Sequence, residues 1–73
     1  MAFNFQFQKP HTVVKKRNGG WTLEVNNISW NGGDPKYDIR AWSPDHEAMS
    51  KGLSLTKEDL IALRDALISM KIK

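Results

Sequence analysis

The stretch Lys36-Tyr-Asp-Ile-Arg-Ala-Trp-Ser43, followed by Lys51-Gly-Leu-Ser-Leu-Thr56 and a capped amphipathic run, constrains the fold more than any other part of the chain. It reads as strand, loop, short strand, helix. Successive side chains of a strand point to opposite faces. Tyr37, Ile39 and Ala41 therefore share one face, and Lys36, Asp38, Arg40 and Trp42 the other. The first set can bury against a helix. The second exposes two cations and an aromatic ring, the materials of a single-stranded nucleic-acid surface. The same residues also fit a solvated charge ladder, with Trp42 shielding the sheet edge.

Thr56 is a good N-cap, and Asp59 completes a weak capping box. Glu58 and Asp59 lie at the positive end of the helix dipole, and Lys71 and Lys73 at the negative end. These signals predict a helix from about Lys57 to about Met70. The helix carries two apolar stripes. Leu60, Leu63, Leu67 and Met70 form the wider one, and Ile61, Ile68 and Ile72 a second, roughly 130° away by helical geometry. One stripe can cover a sheet. The second predicts a partner helix, hence a homodimer built on Ile61, Ile68 and Ile72. The alternative is a sheet that curls round and covers both.

Upstream, Phe3, Phe5 and Phe7 alternate with polar residues, a half-buried strand pattern. Pro10 interrupts it, which predicts an edge strand or a bulge, with His11 to Arg17 as its continuation. Asn18-Gly19-Gly20 signals a hairpin turn. Trp21, Leu23 and Val25 then alternate with Thr22, Glu24 and Asn26. Ile28 and Trp30 have the opposite parity. Either a bulge near Asn26-Asn27 restores the apolar face, or Trp30 lies on the polar one. Asn31 to Pro35 is the next turn, and Ser43 to Ser50 a polar loop opened by Pro44. The expected architecture is α+β: four antiparallel strands and one C-terminal helix (β-β-β-β-α), residues 1–73 forming a single domain.

A chain of 73 residues without cysteine builds only a small core and lacks a covalent staple. Oligomerisation is the usual remedy. There is no apolar run long enough to span a membrane and no signal-peptide pattern at the start. The expected location is therefore the cytoplasm, on or off the nucleoid. The formal charge of +3 and the pI near 9.5 suit a polyanion partner without demanding one.

Little points to catalysis. His11 and His46 are far apart in the chain, no cysteine nucleophile exists, and Ser43 and Ser54 have no evident activating base. Asp45-His46-Glu47 lacks metal-motif spacing and reads as a solvent-exposed loop. The expectation is a protein that is not an enzyme and has no metal, cofactor or small-molecule substrate. Trp21 shares parity with Leu23 and Val25, so it and Tyr37 are expected in the core. The paired glycines open no helix and are turns rather than phosphate loops.

The segments Ser29-Trp30-Asn31, Pro35-Lys36-Tyr37-Asp38-Ile39-Arg40, Trp42-Ser43-Pro44-Asp45-His46-Glu47 and Lys51-Gly52-Leu53-Ser54-Leu55 resemble the transcriptional coactivator positive cofactor four. They resemble its small bacterial relatives of the YdbC type more closely still. The resemblance spans about Trp21 to Leu67. It implies a curved four-stranded sheet backed by one helix, a homodimer, and binding of single-stranded or melted DNA with little sequence preference. It implies phosphate contacts at Arg40 and Lys51, Trp42 as the match, with an offset of one, of a stacking aromatic, and Trp30 as the aromatic before the second hairpin turn. Two departures stand out. Ser50 precedes Lys51 where the eukaryotic protein is basic, and the eukaryotic serine-rich regulatory region has no counterpart in these residues.

Together these readings predict sequence-nonspecific binding of single-stranded DNA through Lys36, Arg40, Trp42 and Lys51, with Trp30, Lys15, Lys16 and Arg17 as additions. Asp38 is expected to pair with Arg40 or Lys36 of a neighbouring strand and orient it. RNA stays open, because stacking and phosphate contacts do not sense the sugar. The alternative is a small dimeric protein-interaction module, a transcription cofactor or adaptor, using the same aromatics.

Overall fold

A computed structural model describes residues 4–72. The elements are β1 (Phe5–Phe7), β2 (Thr12–Lys16), β3 (Thr22–Trp30), β4 (Lys36–Trp42), β5 (Leu53–Leu55) and α1 (Lys57–Met70). They form one antiparallel sheet in the order β1-β3-β4-β5, followed by the helix. The expected positions of Phe3 and Lys73 lie outside the described residues.

The first of the four expected strands is broken in two. β1 pairs with the far end of β3, Phe5 opposite Trp30 and Phe7 opposite Ile28. β2 pairs with its near end, Thr12 opposite Val25 and Lys16 opposite Thr22, with a register shift between Val13 and Lys15. Pro10 lies in the break, where its missing N–H costs no ladder bond. Asn18–Gly20 forms a single 3-10 turn. The Arg17 N–H donates to the Trp21 carbonyl at 2.7 Å, closing the hairpin. Gly20 has a φ of +80°, and a Cβ there would come within 2.8 Å of the Pro44 ring. The turn is thus packed on the loop after β4.

β3 and β4 pair without interruption from Thr22 opposite Trp42 to Ile28 opposite Lys36. No bulge intervenes, so Ile28 and Trp30 share the face of Glu24, Asn26, Asp38, Arg40 and Trp42. This resolves the parity conflict in favour of the polar face. That face is strongly concave. Phe7 sits at the Ile28 level and Trp42 at the Thr22 level, six positions apart on β3 and about 20 Å on a flat strand. Their ring centroids are nevertheless 5.0 Å apart, and Phe5 approaches Trp42 to 5.1 Å.

Closure by these rings moves the best-buried layer to the face that alternation marks as polar. Ile28, Trp42 and Asp38 are 0% exposed, and Glu24 and Asn26 are buried with them. The opposite face was expected to be the core, and there the buried strand residues are only Ala41 and, near the end of β3, Ser29. Tyr37 and Ile39 are half-buried.

The helix matches its expected span. Asp59 N–H donates to the Thr56 hydroxyl at 3.0 Å, and Thr56 N–H to the Asp59 carboxylate at 3.3 Å. Lys71 ends it in a left-handed conformation, its N–H donating to the Ile68 carbonyl at 3.2 Å. No helical residue is buried. Leu60, Leu63 and Leu67 face Leu23, Val25 and Ile39 across an apolar groove of about 570 Å³. Ile61 and Ile68 line the same groove, so the second stripe is not separate from the first. Ile68 is 68% exposed, and Ile72 stands exposed beyond the helix end. Within one chain the sheet does not cover both stripes.

Candidate nucleic-acid interface

Arg40 is the best-held cation on the concave face. Its Nε donates to Asp38 Oδ1 at 2.6 Å and its Nη2 to Asp38 Oδ2 at 2.7 Å. This is the forked, charge-assisted geometry that lysine cannot make. The Ser54 hydroxyl donates to Asp38 Oδ2 at 3.3 Å, and Arg40 Nη1 lies 3.1 Å from Met49 Sδ. The guanidinium also sits 4.7 Å above the Trp30 ring, within cation–π range. Gly52 is fitted against this assembly. A Cβ there would clash with both the Ile39 carbonyl oxygen and Arg40 Cβ. The expected orienting role of Asp38 is therefore visible in the geometry. Its partner is Arg40 of its own strand, two residues on, and Lys36 stays exposed.

Trp42 needs correction. Expected as an exposed ring, it is fully buried beneath Phe5, Phe7 and His46. Its register opposite Thr22 points it into the concave face, and the curvature closes other rings over it. Half-exposed aromatic surface on this face comes instead from Phe5, Phe7 and Trp30.

The remaining cations gather elsewhere. Lys15, Lys16 and Arg17 are all exposed. Together with Trp21, Ala41 and Ser50 they line an open pocket of about 500 Å³ at the end of the β2–β3 hairpin. Trp21, expected in the core, is half-buried and forms a wall of this pocket. Alternation placed its face correctly. No helix residue joins the lining of this pocket, however, and the ring stays at the surface. Lys51 is exposed in the chain leading into β5. Apart from the exposed Lys36 and Lys51, the expected cations thus fall into two groups. Arg40 is neutralised and held on the concave face, while Lys15, Lys16 and Arg17 rim an open hollow.

A third cluster was invisible to sequence reasoning. His11 and His46 stack with ring centroids 4.3 Å apart. Both address Glu24, His46 Nε2 at 2.8 Å from Oε2 and His11 Nδ1 at 3.3 Å from Oε1. Asn26 Nδ2 donates to Glu24 Oε1 at 2.9 Å, and the Thr22 hydroxyl donates to Oε2. Burial pushes the Glu24 carboxyl up. Hydrogen bonds from Asn26, Thr22 and His46 outweigh that and hold it below its ordinary value. His46 belongs to the loop read as solvent-exposed, yet that loop is internally bonded. The Ser43 hydroxyl donates to Asp45 Oδ1 at 2.7 Å and accepts from the Ala48 N–H at 3.0 Å. Those bonds present His46 with a φ of +59°. Short spacing, the usual signal for such a cluster, is absent because its members come from three separate elements.

Comparison with known proteins finds a family match, described as Transcriptional Coactivator p15 (PC4), over residues 17–66. A protein of Treponema pallidum (strain Nichols) is 46% identical over 70 residues, covering 96% of this chain and 82% of its own length. It is described only as an uncharacterized protein.

Proposed function

The chain belongs to the family of the transcriptional coactivator p15 (PC4), and from that premise we propose that it binds single-stranded DNA without sequence preference, as a homodimer. The observation that carries this reading is the basic pocket. Three consecutive cations and an indole surround an open hollow of about 500 Å³. Cations spaced along a groove attract the backbone and release counterions. An aromatic wall stacks on any base, contributing about 1–3 kcal/mol per base. Lys51 stands exposed next to Ser50 of that pocket, Lys36 is exposed at the other end of β4, and Trp30 with the Arg40–Asp38 pair gives the concave face a rigid, flat-ringed rim.

The dimer is supported by the open apolar groove and by Ile68 and Ile72, which a lone chain of this size leaves in water. A second copy laying its own helix against the groove would cover both. Binding rather than catalysis is supported by the Ser43 and Ser54 hydroxyls, which donate to Asp45 and Asp38 and not to a histidine. No helix among the described residues is long and apolar enough to cross a membrane.

The test is a fluorescence titration of labelled oligo-dT and of its duplex at two salt concentrations. Wild type is compared with a Lys15→Ala/Lys16→Ala/Arg17→Ala variant and with Trp21→Ala. The single strand should be preferred. Each phosphate contact contributes a salt slope of about −0.7, so removing three cations should flatten the slope by about 2. An absence of binding to either nucleic acid at low salt would discard the proposal in favour of a protein partner.

A further inference from the structure

We propose that His11, Glu24 and His46 form a binding site for a divalent transition-metal ion of the zinc class. The three side chains come from the β1–β2 connection, β3 and the β4–β5 loop. The fold brings one ligand atom from each to within 4.8 Å of the others. Ligands about 2.0–2.2 Å from a tetrahedral ion lie roughly 3.3 Å from one another. Glu24 already stands 3.3 Å from His11 and 2.8 Å from His46. Closing the triad on an ion needs shifts of about 1 Å at that bond length, together with a turn of one imidazole. The turn falls to His11, because stacked rings inclined by 19° keep their in-plane lone pairs from converging. His11 is the more exposed of the two, at 37% against 26% for His46.

The surroundings have the character of a built site. Glu24 is 1% exposed, so a charged ligand atom stands in a fixed position. Asn26 and Thr22 hold its two oxygens from behind, as outer-shell donors do in metal sites. Phe7 meets His11 and His46 edge-on, and Trp42 stacks against His46, giving the site one apolar wall. Two imidazoles and a carboxylate suit zinc, cobalt or nickel and leave a fourth position open to solvent. Occupancy would replace the single negative charge of Glu24 with a net positive one on the concave face. The inference stands on this geometry and does not depend on the nucleic-acid reading.

The chain contains two histidines and no cysteine, and among the described residues the fold gathers both histidines with Glu24 in one group. The experiment is calorimetric titration of the full chain with zinc chloride, paralleled by cobalt absorption spectroscopy and by NMR of the two imidazole rings. His11→Ala and His46→Ala are the variants, each checked for folding by circular dichroism. The expected result is one ion per chain, with a Kd of about 30 µM or tighter. Each histidine variant should weaken it at least about tenfold, and both imidazole resonances should shift together. A weaker Kd, an affinity that either folded variant leaves unchanged, or a shift of only one imidazole would overturn the assignment. The NMR result on the unmodified chain decides the matter even if a variant fails to fold.

Discussion

Asp38→Ala should cost far more stability than a surface charge change. Asp38 is fully buried, and the Arg40 side chain is only 14% exposed. Removing the carboxylate deletes both charge-assisted bonds of the fork, at 2.6 and 2.7 Å. It leaves the guanidinium against Met49 and the Trp30 face, neither of which neutralises it. Breaking a buried pair from one side costs about 3–5 kcal/mol, because the surviving charge is desolvated and unpaired. A domain of this length has roughly 4–11 kcal/mol in total, at about 0.05–0.15 per residue. The single variant should therefore lose from about a quarter to all of that stability. Arg40→Met should be comparably damaging, since it strands Asp38 with only the Ser54 hydroxyl at 3.3 Å. The double variant Asp38→Ala/Arg40→Met removes both charges and should be markedly more stable than the sum of the two losses implies. Urea denaturation of all four proteins closes the cycle. If the two single losses simply add in the double variant, or if Asp38→Ala loses less than about 1 kcal/mol, the pair behaves as a screened surface contact and the argument fails.

Three further outcomes test other parts of the structure. Gly52→Ala should destabilise by about 1–3 kcal/mol through overpacking, because its Cβ meets the Ile39 carbonyl and Arg40 Cβ; an unchanged thermal midpoint would contradict that fit. Trp42→Ala should lose about 3–5 kcal/mol as a buried-core truncation. A variant that kept its urea midpoint and lost only DNA affinity would instead make Trp42 a surface ring. Ile68→Asp should place a charge in the apolar groove and halve the mass seen by light scattering toward the 8.3 kDa of one chain; a wild-type protein already at that mass at micromolar concentration would remove the dimer.

Local chemistry made much of this protein legible in its residues. The capping box at Thr56 and Asp59, the Asn18–Gly20 turn and the alternation of Lys36–Trp42 each rest on neighbours within a few positions. Each element appears where those neighbours put it. The interruption at Pro10 was legible for the same reason, since a missing N–H is a property of one residue, but the split into two strands at different ends of β3 was not. Only the tertiary structure decided which face of the sheet would be buried. Alternation sorts side chains into two sets but carries no information on curvature. Here curvature let Phe5 and Phe7 close over Trp42 and Ile28, so the polar face became the dry one and the helix face stayed open. The meeting of His11 with His46 over Glu24 follows from the same curl. Their separation in the chain hides a contact that exists only once the loop after β4 folds back across β3.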